Sequence, residues 1–436
     1  MSWWIALSGG MTILLALLLM GVPVFVAFLV LNVVGILTLF GPAGFGLFIN
    51  SIYSTATLSA LAAVPLFIVM GEILFRSGAM EVLFNSLDRL VGKIRGRQYV
   101  LCILLSAIVG ALSGAAMAVA GLLGRSLYPA MVARGYDRKL SAGTILGGAS
   151  LDPIIPPSIL AILVATIAQI STGKLLVAGI VPGIILSGIF LIYVLVRVKL
   201  DPSLAPEITK DSERASGSLL IAFLQLIPSA SIFFLVMGLV MLGVATPTEA
   251  AATGVAGSVI LAYAYGGLSW RMLKDALASG VTVASLLLVV MCCAVIFSQL
   301  LTFTGAPQAL GEIVVGLKLP YVLMLTLLLL LPFILFMFLD QIALMLVLIP
   351  IYQPILKIYG FDEIWFWTLF LIVATVGGIS PPFGYTIFAF KTAVNDLSMT
   401  DVYRAAWPFV WLIMGGLLLM AIFPPLITFV PNLTSP

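Results

Sequence analysis

Asp152-Pro153-Ile154-Ile155-Pro156-Pro157-Ser158 and Gly377-Gly378-Ile379-Ser380-Pro381-Pro382 each interrupt a long apolar run, 140–170 and 364–394. A proline pair removes two adjacent backbone donors and clashes with the preceding helical turn. Each run is therefore expected to be two half-helices joined by an irregular segment. The pairs are related by a shift of 225 residues. With that shift, Ser113-Gly114-Ala115-Ala116 falls on Phe338-Leu339-Asp340-Gln341. Pro182 and Pro408, and Pro23 and Pro247, match to within one residue. A chain with 24 prolines produces single coincidences, but four in the same order at nearly one offset point to a duplicated plan.

Working outward, the composition excludes a soluble fold. Of 436 residues, 62% are apolar and 8% charged, against roughly 45–50% and roughly 25% in soluble domains. No charged residue occurs in 1–71, 215–248 or 364–390, runs that read as membrane spans. Histidine is absent, which removes His-based triads, His-ligated haem and most zinc sites. Cys102, Cys292 and Cys293 lie in apolar stretches and read as buried hydrophobes. The net charge of +3 is small and scattered, so nucleic acid is not an expected partner. No soluble catalytic segment is evident, and the expectation is not an enzyme. The Met1-Ser2-Trp3-Trp4 start lacks a basic region and reads as a retained span.

Breaks and charge clusters place first-half spans near 3–22, 23–41 and 51–75, then an amphipathic surface stretch at 80–98. A hairpin at 99–134 turns at Ser113-Gly114. A broken span at 140–170 and a span near 176–197 follow. Residues 198–217 are polar and read as a linker. The second half has spans near 218–243, 247–266 and 281–303, a hairpin at 320–359 turning near Asp340, the broken span 364–394 and a last span near 405–430. Leu268 to Ser279 is taken as the counterpart of the surface stretch.

The fold expected is an all-α polytopic membrane protein with repeats 1–215 and 216–436. If both hairpins are re-entrant, each half crosses five times and the repeats have inverted topology. With the N-terminus outside, the basic clusters from Arg76 to Arg97, Arg134 to Lys139 and Arg197 to Arg214, and the pairs Arg271/Lys274 and Lys391/Arg404, all face the cytoplasm. Only Lys174, Lys318 and Lys357 remain outside, which is a positive-inside bias. Reading each hairpin as two full spans leaves this parity unchanged.

Paired, interrupted helices in corresponding positions of two halves point to a secondary-transporter site. Half-helix N-termini offer N–H donors to an anion. Half-helix C-termini and unwound carbonyls, here those near Ser113 and Ser380, offer oxygens to sodium. The candidate substrate- and cation-binding residues are Ser113, Gly114, Ala115, Asp152, Pro156, Pro157, Ser158, Asp340, Gln341, Gly377, Gly378, Ser380, Pro381 and Pro382. Asp152 and Asp340 are acids in apolar surroundings, which are functional candidates by default. For Asp340 the alternative is a helix cap, and for Glu249 in Thr246-Pro247-Thr248-Glu249 the cap is the favoured reading. Glu72 fits the cytoplasmic end of its span. A proton relay through these acids is the weaker coupling scheme, since no histidine can partner them.

The chain resembles the large membrane subunit of tripartite ATP-independent periplasmic (TRAP) transporters over essentially its whole length. The resemblance is carried by Pro65-Leu66-Phe67, Gly71-Glu72, Ser113-Gly114-Ala115-Ala116 and Tyr136-Asp137-Arg138, by the first proline motif, and by Thr246 to Ala251, Phe338 to Gln341 and Ile379 to Gly384. It implies an elevator-type, sodium-coupled importer of organic acids in the bacterial inner membrane. It also implies a periplasmic substrate-binding protein and a small four-span membrane subunit as partners, and no cofactor besides the coupling ions. A stand-alone sodium/dicarboxylate symporter is the alternative. The chain departs from the family pattern at Ala115 and Val119, where a serine and an aspartate are usual, and at Asp152, where a small residue is usual. Such departures fit a side-chain ligand moved from the hairpin tip to the break.

Overall fold

The computed structural model describes residues 3–92, 94–113, 116–207 and 219–433. These residues form helices and no strand. In the first half the helices are α1 (Trp3–Leu19), α2 (Val24–Leu39), α3 (Phe45–Ala56), α4 (Ala63–Arg76), α5 (Ala79–Val91), α6 (Arg97–Ser113), α7 (Ala116–Ala133), α8 (Arg138–Ala149), α9 (Ile159–Ala168), α10 (Thr172–Ala178) and α11 (Ile180–Leu200). In the second they are α12 (Leu219–Met241), α13 (Pro247–Ala264), α14 (Trp270–Phe303), α15 (Ala306–Gly316), α16 (Tyr321–Phe336), α17 (Gln341–Tyr359), α18 (Glu363–Ile379), α19 (Tyr385–Ala393), α20 (Met399–Ile422) and α21 (Pro425–Leu433). Seven helical segments are long and apolar enough to cross a membrane. Large apolar side chains such as Phe223, Phe234 and Trp411 point outward, as expected where lipid replaces water.

Helix starts follow the local chemistry. Asp137, Ser158, Asp362 and Ser398 each accept a backbone N–H as N-caps of α8, α9, α18 and α20. Thr246 and Glu249 form a reciprocal capping box on α13, so Glu249 is the cap its sequence context favours. Glu72 pairs with Arg76 at 2.9 Å in the last turn of α4.

Four expected elements come out differently; one is the last span, near 405–430, which divides into α20, ending at Ile422, and α21, starting at Pro425. The span near 51–75 is two helices, α3 and α4, separated by a 3-10 turn at 59–62. The surface stretch is the shorter α5, set off by Gly78 and Gly92 at φ 84° and 69°, backbone that favours glycine; Lys93 lies outside the described residues. Leu268 to Ser279 forms no separate surface helix. After the Ser269 cap, α14 runs unbroken for 34 residues, because no positive-φ glycine or proline interrupts it. In the second half α15 begins directly after a positive-φ glycine, Gly305, as α5 begins directly after Gly78.

The helices sort into two packed groups. In one, α4 packs on α13 and α14, α2 on α14, and α12 on α5 and α13. In the other, α6 packs on α8 and α16 on α18, while α7 packs on α19 and α17 on α9. Every residue of α8 from Leu140 and of α18 from Trp365 is buried. Glycines make this possible. A Cβ on Gly143 or Gly147 would run into Ala405 and Phe409 of α20, and one on Gly148 would meet Ser106 of α6 at 2.6 Å.

Gly179 tests this close packing. A Cβ there would overlap the Ile154 carbonyl oxygen of the first break, whereas Gly188, further along α11, faces open space. Gly179→Ala should lower the melting temperature of the detergent-purified protein, at a cost of about 1–3 kcal/mol. Gly188→Ala should leave it unchanged or raise it. Fluorescence-detected unfolding of the two variants side by side checks this.

Candidate functional site

At the first break α8 ends at Ala149 and α9 begins at Ile159. Between them, Ile154 and Ile155 donate backbone N–H groups to the Leu151 carbonyl, both at 3.0 Å. Ser158 ties the far end: its Oγ donates to the Pro153 carbonyl at 2.8 Å and accepts from Ala161 N–H at 3.2 Å. The Pro156–Pro157 peptide is cis. At the second break α18 ends at Ile379 and α19 begins at Tyr385. Gly384 N–H donates to the Ser380 carbonyl at 3.0 Å, and the Tyr403 hydroxyl donates to the Pro382 carbonyl at 2.7 Å. Pro381–Pro382 is also cis. Ser380 is fully buried, and its hydroxyl donates back to Val376 at 2.7 Å.

The helix ends flanking the α6–α7 turn meet the first break, and those flanking the α16–α17 turn meet the end of α18. The turn between α6 and α7 contains three candidates: Gly114 and Ala115 lie outside the described residues, as does the Ser113 side chain. Its flanks are described. A Cβ on Gly110 would touch the Asp152 Cβ at 3.6 Å, and the Ala116 N–H, first in α7, hydrogen-bonds the Asp152 carboxylate. At the other turn Asp340 is the N-cap of α17, its Oδ1 accepting from Ala343 N–H at 3.1 Å. The capping alternative is therefore realised, and the Asp340 side chain is also exposed. The Gln341 amide donates to the Ala374 carbonyl of α18. A Cβ on Gly377 would run into Phe336 of α16.

Tyr385 joins the two halves. Its hydroxyl lies against Gly378, where a Cβ would sit 2.5 Å away, and it interacts electrostatically with both Asp152 and Asp340. Asp152, Gly378, Asp340 and the second proline turn thus border one region. Ile154 and Ile155 of the first break abut Gly179 and Gly183 at the start of α11. Sequence reading missed Tyr385. Its signal was a hydroxyl-bearing aromatic directly after Pro381-Pro382-Phe383-Gly384 in an uncharged run.

The arrangement brings helix ends together beside two carboxylates, Asp152 buried and Asp340 exposed. Helix α7 presents its first N–H groups, α17 carries Asp340 on its own, and α8 and α18 end in carbonyls nearby. That set can hold a cation with oxygens and an anion with N–H donors. Two links secure it across the halves. Tyr128 of α7 packs edge-on against Phe390 of α19, with ring centroids 5.7 Å apart. Gln353 of α17 donates to the Ala168 carbonyl that closes α9 at 2.7 Å.

Comparison with known proteins adds independent observations. The chain is 28% identical to the C4-dicarboxylate TRAP transporter large permease protein DctM of Rhodobacter capsulatus over 388 residues, covering 86% of this chain and 87% of the relative. It is 27% identical to the ectoine TRAP transporter large permease protein TeaC of Halomonas elongata, covering 96% and 97%. The sialic acid TRAP transporter permease protein SiaT of Haemophilus influenzae is 27% identical over 86% of this chain and 60% of its own length. Among solved structures, the YdaH transporter of Alcanivorax borkumensis superposes with a TM-score of 0.63 over 91% of both chains. At 15% identity it shares the fold alone. The family described as "Tripartite ATP-independent periplasmic transporter, DctM component" matches residues 11–426, and the chain belongs to that family of transport permeases.

Proposed function

We propose that this chain is the large membrane subunit of a secondary importer in the bacterial inner membrane, moving a small organic acid inward with sodium. It would receive its substrate from a periplasmic binding protein and work beside a small four-span membrane subunit. The observation that carries the reading is the meeting of two helix breaks and two carboxylates around Tyr385. Substrates in the relatives' names, such as C4-dicarboxylates and sialic acid, support the organic-acid class.

The proposed architecture is two inverted repeats, 1–215 and 216–436, with α6–α7 and α16–α17 as re-entrant hairpins. Helix starts support it. Ala116 and Gln341 begin α7 and α17, and Ile159 and Tyr385 begin α9 and α19, at nearly the same spacing. The group containing both breaks is the proposed moving body, sliding against α1–α5 and α12–α14 as an elevator. The N-terminus is then periplasmic and α5 lies on the cytoplasmic surface, with apolar Leu83 and Leu87 buried and Arg89 in its last turn. A single cysteine at Arg89, in a background lacking Cys102, Cys292 and Cys293, should react with an impermeant maleimide only from the cytoplasmic side. Reaction from the periplasm inverts this topology.

Two transport measurements follow. Uptake in proteoliposomes with both partners supplied should collapse when sodium is replaced by choline at constant pH. Full uptake driven by a proton gradient alone overturns sodium coupling. Asp340→Asn keeps an N-cap but removes the charge. It should raise the sodium concentration for half-maximal uptake about tenfold, the scale of losing one charge-assisted contact, at unchanged expression. Unaltered sodium dependence reduces Asp340 to a cap.

A further inference from the structure

Arg125 is the one charged residue between Arg97 and Arg134, the stretch that holds α6 and α7. Its side chain is exposed. The guanidinium folds back along α7. Its Nη2 lies 3.7 Å from where a Cβ on Gly121 would sit, and the Ala389 carbonyl oxygen of α19 lies 3.9 Å from the same point. The head therefore occupies the seam where α7 packs on α19. Ala389 is one helical turn past Tyr385, the residue that opens α19 after the second break. The missing side chain of Gly121 leaves the room that the guanidinium takes.

The protein offers this charge no anion. Among the described residues Arg125 makes no ion pair and no hydrogen bond. The acids at the same end of the group are committed elsewhere. Asp396 is held by Arg138 at 3.8 Å and by the Tyr128 hydroxyl at 3.2 Å, Asp401 pairs with Lys139 at 2.8 Å, and Asp137 accepts from the Leu140 N–H at 2.7 Å. A guanidinium stays charged at any pH the protein meets, and a charged side chain on a membrane helix is a functional candidate by default. Its usual escape is to extend toward the nearer surface. Here the head points the other way. Gly121 lies 12 residues before Ala133, the end of α7, which is about 18 Å at the rise of an α-helix. The basic residues Arg134, Arg138 and Lys139 follow directly and mark the surface. Half the hydrocarbon thickness is about 15 Å, so the head lies deeper than lipid headgroups do.

We propose that Arg125 pairs with the carboxylate of the transported organic acid, on the cytoplasmic side of the second break. A guanidinium and a carboxylate meet in a two-point, charge-assisted contact. Backbone N–H groups and hydroxyls accept anions and neutral oxygens alike, whereas Arg125 adds the fixed charge that selects an acid. The anion then leaves the region of Tyr385 along the seam of α7 and α19. This deepens the import reading and topology above and rests on them.

The test is uptake by proteoliposomes of phosphatidylethanolamine and phosphatidylglycerol that carry the chain with its small subunit and binding protein. The probes are succinate, ectoine and N-acetylneuraminate, following the substrates in three relatives' names. For any probe that the wild type takes up, Arg125→Met should cut the maximal rate at least about tenfold, the scale of one charge-assisted contact. Arg125→Lys keeps the charge without the fork and should fall between the two. Both variants should melt as the wild type does, as surface substitutions do. The same ratios should hold in vesicles of phosphatidylcholine alone. If the wild type and Arg125→Met become equal there, Arg125 serves an anionic lipid headgroup, and the proposal is overturned. Equal loss in the Lys and Met variants, or none in either, also overturns it, and the organic-acid reading then stands. A wild type inert toward all three probes overturns both readings. Should Arg125→Met not be recovered, Arg125→Gln carries the same comparison.

Discussion

Backbone N–H and C=O groups that leave a helix at apolar depth must find partners, and this protein has two such places in corresponding positions. Each unmet group costs several kcal/mol, roughly 2–7 by transfer measurements. The breaks meet the demand in three ways. Prolines delete donors at 153, 156, 157, 381 and 382. Side chains recruit carbonyls, as Ser158 does for Pro153 and Tyr403 for Pro382. Backbone turns pair others, as the Ile154 and Ile155 N–H groups do with the Leu151 carbonyl and the Gly384 N–H with that of Ser380.

That requirement explains why the first halves of the broken helices are the most buried parts of the chain. An interruption facing lipid would expose its backbone, so α8 and α18 are surrounded by protein. The glycine content of α8, at 143, 147 and 148, follows from helices on both sides competing for the same space. The site is therefore a by-product of satisfying the backbone. Wherever two interruptions are shielded by each other's hairpins, their helix ends converge. Asp152 and Asp340 flank the two breaks, and the Tyr385 hydroxyl lies against Gly378 at the second.

Much of this was legible in the chain. Proline pairs and uncharged runs announce both breaks, because proline's effect on a helix is local and strong. The turn near Asp340 was placed correctly, and so was the capping role of Glu249. Boundaries depending on a single turn were not legible. In the run from Ser51 to Phe75 the division at the 3-10 turn of 59–62 is signalled only by Pro65, which falls in the first turn of α4 and was read as part of one span. The separate surface helix expected at Leu268 to Ser279 failed because an amphipathic segment and an apolar span can be one continuous helix when no breaker lies between them. Tyr385 went unrecognised because its importance comes from two acids far away in sequence, which no local pattern encodes. Asp152 was visible as an acid, but its enclosure by α6 and α7 is a tertiary fact.

The crossed packing of α7 on α19 and α17 on α9 has a consequence for biosynthesis. Helix α9 is finished early, but the helix that covers it begins roughly 170 residues later, which is about 10–35 s of synthesis at ordinary elongation rates. During that interval α9 is without its final neighbour α17. The insertion machinery, or the first-half helices α6 and α8 alone, must shelter the first break until the second half arrives. The stretch after α11 is tied back to the first half: Arg95 donates to the Pro202 carbonyl at 2.6 Å, and Tyr99 donates to that of Leu204, also at 2.6 Å.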